Sequence, residues 1–197
     1  DLNWKNQEVK DHLEDVLKFW LDRGVDGFRI DVAHGMVKEA GLPDIRHDVT
    51  AAMLGTEHKP FWDQEGVHDI YRSWRKIFDS YPGDRMGVAE AWVFPASRIA
   101  RYVRPDELQN SFNFEMLTTL WDAKQIKSKI DSSIEALAEV GAPTSWVFNN
   151  HDVVRSIDRL DLGLTNDGTS TFTRQGDPAK FNVARGTLRA RSATLMT

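Results

Sequence analysis

Arg29 and Asp31 stand two residues apart in GFRIDVAHG, Gly27 to Gly35, at the end of a short apolar run. Side chains two residues apart on a strand point to the same face, so this pair presents a guanidinium and a carboxylate together at the mouth of a sheet. A neighbouring guanidinium lowers a carboxylate's pKa and opposes the effect of burial. An ionised carboxylate is what carboxylate nucleophiles require. Glu90 in MGVAEAW and Asp152 in WVFNNHD each follow an apolar run, and each lies about sixty residues beyond the previous acid. The spacing predicts three carboxylates on one rim, with His151 beside the last. Taken singly, each acid fits a helix N-cap or a structural ion pair as well as it fits catalysis.

The elements that must position these residues alternate along the chain. Val9, Leu13, Val16, Leu17, Trp20 and Leu21 recur at helical spacing up to Gly24, and Gly27 to Val32 reads as a short buried strand. Residues 33 to about 65 show no period and contain Gly41, Pro43, Gly55 and Pro60, which predicts a long loop of the kind that carries function. Val67, Ile70, Tyr71, Trp74, Ile77 and Phe78 predict a second helix, and Arg85 to Glu90 a second strand. A short helical stretch is expected near Ser97 to Tyr102 and a strand around Leu108 to Phe114, interrupted by polar residues. A helix ending at Gly141 follows, then a strand over Thr144 to Phe148, a loop over Asp158 to Asp177 and a helix over Val183 to Met196. This rhythm implies α/β architecture with parallel strands and right-handed crossovers. No linker divides the chain, so residues 1–197 read as one unit.

The chain has 25 basic and 30 acidic side chains, a net charge of -5, and is 41% hydrophobic. There is no basic stripe for nucleic acid and no run of the roughly 18 apolar residues that a membrane span needs. The absence of cysteine excludes disulfides, thiolate catalysis and Cys-based zinc sites. His47, His58 and His68 show no zinc-type spacing and read as loop or helix-surface residues. Trp20, Trp74 and Trp121, in helical settings, are expected in the core. The runs Arg72 to Lys76 and Arg185 to Arg191 read as solvated helix faces.

Arg29 with Asp31, then Glu90, then His151 with Asp152, in that order and spacing, resemble the signatures of the α-amylase family of glycoside hydrolases (family thirteen). The opening DLNW also resembles that family's motif after its third barrel strand, and GFRIDVAHG with WVFNNHDVVR looks most like the bacterial oligosaccharide-cleaving α-glucosidases. The resemblance implies a partial (β/α)₈ TIM barrel, roughly strands four to seven. A whole barrel takes about 250 residues, so the chain is expected to be a section of a catalytic domain, truncated at both ends and inactive by itself. The resemblance further implies a retaining enzyme acting on α-linked gluco-oligosaccharides, with Asp31 as nucleophile, Glu90 as acid/base, and Asp152 and His151 gripping the distorted sugar. Arg29 would hold Asp31 anionic. His34 would face the neighbouring sugar subsite or serve as a structural histidine, and Trp92, like Trp62 and Phe94, would stack on a sugar or pack in the core. Calcium-dependent relatives carry a histidine four residues after the nucleophile where this chain has Gly35, so neither a metal nor an organic cofactor is expected. A glucosyltransferase, an isomerase, an endo-acting amylase and a non-catalytic binding relative are the rival readings. Linkage and oligomeric state stay open, and of the compartments the cytoplasm is favoured.

Overall fold

A computed structural model describes residues 1–44, 58–162 and 181–196. Helix α1, Gln7–Leu21, starts where the Asn6 side chain accepts from Glu8 N–H, and Leu17 and Leu21 are its buried residues. The chain leaves it through Gly24 at φ 87°, a left-handed turn that glycine adopts without penalty. Strand β1, Gly27–Ile30, pairs in parallel with β2, Met86–Ala89, in the register Gly27↔Met86 to Ile30↔Ala89. The approach is close at its start: a Cβ on Gly27 would lie 2.4 Å from Met86 O. Strand β3, Asn110–Ser111, joins the other side of β2, again in parallel, so the sheet order follows the chain.

Helix α2, Gly66–Asp79, crosses from β1 to β2 and buries Val67, Ile70, Tyr71, Trp74, Ile77 and Phe78. Helix α3, Ala96–Ala100, continues as a 3₁₀ turn, Arg101–Val103, before β3. A second 3₁₀ turn, Phe114–Thr118, precedes α4, Ala123–Ala138, which is capped by Asp122 accepting from Gln125 N–H. Helices α5, Ser156–Leu162, and α6, Val183–Thr194, pack on each other. One core lies between the sheet and helices α1 to α4; a smaller cluster of Trp92, Phe114, Leu117 and Val153 underlies the loops at the carboxyl ends of the strands.

Several expectations need correction. The strand around Leu108 to Phe114 shrinks to two residues, because the Gln109 side chain takes the Gly87 N–H at 2.8 Å and Asn113 turns the chain by capping Glu115 N–H. Thr144 to Phe148 forms no ladder. At that edge Asn110 Oδ1 accepts from Ser145 Oγ (2.6 Å) and Ser111 N–H (2.8 Å), so side-chain bonds stand where a ladder would run. Residues Ser156–Leu162 are helical rather than loop, with the Asn149 side chain accepting from Ser156 N–H; positions 163–180 lie outside the described residues, as does His47.

Trp20 is 47% exposed and edges against Phe19, since helical spacing shows which residues share a face but not whether anything covers it. His68 is buried, its Nδ1 2.7 Å from an oxygen of the equally buried Glu107. Arg72 also reaches Glu107 at 3.1 Å, and the Glu107 carbonyl accepts from Arg75. That helix face is therefore a network around one buried carboxylate rather than a solvated row. On α6, Arg185 is likewise engaged, with Asp161.

Candidate active site

The parallel register builds the centre of the site. Because Ile30 pairs with Ala89, the next residues, Asp31 and Glu90, emerge side by side at the carboxyl ends of β1 and β2. Glu90 N–H donates to Ile30 O and Ala33 N–H to Glu90 O, each at 2.9 Å, which ties the two exits together. Val32 follows at φ 45°, a left-handed conformation unusual for a β-branched residue, and its N–H points at Glu90 Oε2 from 3.5 Å. Backbone strain therefore sits directly beside the paired carboxylates.

Arg29 lies on the same face as Asp31, as expected for residues two apart, and serves both acids. Its Nη1 is 2.8 Å from Asp31 Oδ1 and its Nη2 2.6 Å from Glu90 Oε2. The environments then push the two acids apart. Asp31 is held below the usual carboxylate range, first by its hydrogen bond from Glu90, which outweighs desolvation, and then by the hydrogen bond and charge of Arg29. Glu90 is raised, first by burial and then by the same hydrogen bond with Asp31, against the opposing charge of Arg29. The ionised form is thus favoured at Asp31 and the protonated form at Glu90, the kind of separation that acid/base pairs use.

His151 and Asp152 complete the rim although no strand carries them. Asn150 Oδ1 accepts from Asp152 N–H and Val153 N–H at 3.0 and 3.1 Å, which turns the loop and presents both side chains. His151 Nε2 lies 3.6 Å from Asp152 Oδ1, and its charge also favours the anionic form of Asp31. A cavity of about 410 Å³ is lined by Asp31, Val32, His34, Trp62, Glu90, Trp92, His151 and Asp152. The residues singled out from the sequence line it except Phe94, which packs against the Trp92 and Phe114 cluster, and Arg29, which bridges the two carboxylates and lines the adjoining recess with Asn149 and Asn150.

His34 and Trp92 sit deeper than ring-presenting residues would. His34 is 1% exposed, its Nδ1 faces Trp92 N–H at 3.4 Å, and burial above all lowers its pKa to about 4, so the ring is neutral near pH 7. Trp92 is buried with its ring 4.4 Å from that of Phe114. Trp62 is held over His34 with ring centroids 4.7 Å apart, and the next residue, Asp63, accepts from Arg98 Nε and Tyr102 OH at 2.7 Å. The loop-building asparagines, Asn149 and Asn150, are marked in the sequence only by their place directly before the His-Asp pair. Sequence reasoning missed Arg159, which nothing in the sequence marks as buried.

The alternation of parallel strands and helices, with acids at the carboxyl ends of the strands, is matched by known proteins. Residues 1–169 match the α-amylase catalytic-domain family, and the chain belongs to that family, whose domain is a (β/α)₈ barrel. Among curated relatives, oligo-1,6-glucosidase of Bacillus cereus is 31% identical over 182 residues, covering 85% of this chain and 31% of the relative. Maltase A2 of Drosophila melanogaster is 29% identical over 177 residues, covering 81% and 31%. Among solved structures, the α-glucosyl transfer enzyme XgtA superposes with a TM-score of 0.71 at 28% identity, covering 82% of this chain and 32% of that one. Trehalose-6-phosphate hydrolase of Bacillus licheniformis gives 0.66 at 25% identity, over 81% and 30%. The chain spans about a third of the length of the proteins it matches.

Proposed function

We propose that this member of the α-amylase family is the section of a longer catalytic domain that carries barrel strands four to seven, from a retaining α-glucosidase acting on short α-linked gluco-oligosaccharides. The observation that carries the reading is the convergence of Asp31, Glu90, His151 and Asp152 on one cavity, with Arg29 bridging the first two acids. The curated relatives named as maltase and oligo-1,6-glucosidase support the same substrate class.

In this reading the substrate's glycosidic bond replaces the hydrogen bond between Asp31 and Glu90, opening the pair toward the roughly 5 to 5.5 Å that double displacement uses. Asp31 attacks the anomeric carbon as the bond to the leaving oxygen breaks, and Glu90 gives that oxygen its proton. Water then loses a proton to Glu90 and attacks the same carbon, releasing Asp31 and a sugar of unchanged α configuration. Asp152 and His151 hold ring hydroxyls of the reacting sugar. The cavity falls in the range of about 300–1,000 Å³ usual for small-molecule sites.

The test is an assay of the full-length protein on maltose, isomaltose, sucrose and soluble starch, with product anomers followed by NMR. Release of α-glucose from the short substrates ahead of starch is expected. Internal cleavage of amylose to mixed oligomers would replace the α-glucosidase with an endo-amylase. Transfer of glucose to a second sugar, faster than to water, would favour the glucosyl-transfer activity for which the structurally similar XgtA is named.

A further inference from the structure

Among the described residues, Arg159 on α5 has the largest side chain fully withdrawn from solvent. Ionised groups are rarely buried without a partner charge, because desolvation costs several kcal/mol. Among the described residues no carboxylate pairs with it. Its guanidinium instead donates through Nη2 to Phe148 O at 2.8 Å and through Nη1 to Val154 O at 3.1 Å, while Nε has no partner. Those two carbonyls bracket the segment Asn149 to Val153, which contains His151 and Asp152.

This segment has no ladder to hold it, since Thr144 to Phe148 does not pair in the sheet. Asn150 shapes its turn from within, and Asn149 ties it to the start of α5. The Arg159 fork adds a buried, two-armed tie from α5 to the carbonyls at both ends of the loop. A planar guanidinium reaches two carbonyls at fixed angles; a lysine ammonium is a single point donor on a flexible stem.

We propose that Arg159 is a positioning residue that holds His151 and Asp152 in register with Asp31 and Glu90. The proposal rests on the reading of Asp152 as a substrate-gripping residue. Burial lowers the pKa of Arg159 to about 10, which leaves it charged at neutral pH and keeps both bonds charge-assisted.

The experiment is a double-mutant cycle in the full-length protein, with kcat and KM on an aryl α-glucoside measured well below each variant's Tm. The variants are R159K, R159M, D152N and the two doubles. A displacement of about 1 Å at a reacting group costs about 100-fold, so R159M is expected to lose about 100-fold in kcat/KM, mainly in kcat. R159K, keeping one bond, recovers part of that loss. In the D152N background the same Arg159 substitutions should cost less than about 3-fold, because only His151 is then left to position. If R159M fails to fold, R159K carries the cycle. An equal fractional loss with and without Asp152, or R159M folded and within about 3-fold of wild type, would overturn the inference. D152N with wild-type activity would instead remove the reading of Asp152, and the inference with it.

Discussion

Replacing Arg29 by methionine removes one guanidinium that serves two acids in unequal settings. The Glu90 side chain is 6% exposed and that of Asp31 68%. A hydrogen bond to a charged group contributes about 1.5–3 kcal/mol where it is shielded, and the Asp31 contact, screened by water, about 0–1 kcal/mol. Together they are worth about 2–4 kcal/mol, or about 30- to 1,000-fold in kcat/KM if the loss is felt in the transition state. The loss also has a pH signature. Arg29 lowers Asp31 through a hydrogen bond and through charge, and its charge opposes the upward push of burial on Glu90. Without it both acids titrate higher. The acid limb of kcat/KM, where Asp31 loses its proton, therefore moves up, and the alkaline limb, where Glu90 loses its own, moves up as well. The shift is smaller on the acid limb, because Asp31 is the more exposed of the two acids. Arg29→Lys keeps the charge but cannot bridge two carboxylates, so its limbs move less than those of R29M while kcat falls. The assay is the pH profile of wild type, R29K and R29M on maltose and on an aryl α-glucoside. Unmoved limbs in R29M with less than about 10-fold loss, or R29K limbs shifted as far as those of R29M, would refute the reasoning.

Asp31→Asn is expected to abolish turnover by several orders of magnitude with the fold intact, because an amide forms no glycosyl ester; a tenth of wild-type hydrolysis in a clean preparation would exclude it as nucleophile. Glu90→Gln should slow maltose far more than activated aryl glucosides, which need little protonation of the leaving group. Azide should then give an α-glucosyl azide, and its absence together with equal losses on both substrates removes Glu90 from the acid/base role. Glu107→Leu leaves His68, Arg72 and Arg104, none of which lines the cavity, facing an apolar group. It should destabilise the protein by about 3–5 kcal/mol, measured by denaturant unfolding, while kcat per folded molecule stays unchanged.

The site was readable from the sequence to the extent that chemistry depends on residue type and order. Arg29 and Asp31 share a face because strands have a period of two, and Glu90 and Asp152 stand where apolar runs stop. Helices α1, α2 and α4 were legible for the same reason, each having a continuous apolar stripe. The strand over Thr144 to Phe148 was not, because an apolar run reports burial and not who supplies the hydrogen bonds; here Asn110 and Ser145 side chains meet at that edge. His68 was placed on a helix surface because its partner, Glu107, is 39 residues away in the chain.

What the sequence by itself determined was the inventory and order of reactive groups, and the local periodicities that make strand ends of their positions. Tertiary structure alone decided that Ile30 pairs with Ala89, and so that Asp31 and Glu90 stand as neighbours with Arg29 between them. It alone decided which acid is shifted down and which up. It withdrew His34 and Trp92 into the wall of the cavity and buried Arg159 beneath the loop of Asp152. The physical reason is that register, burial and electrostatic coupling belong to pairs of groups distant along the chain, whereas side-chain chemistry and periodicity belong to the chain itself.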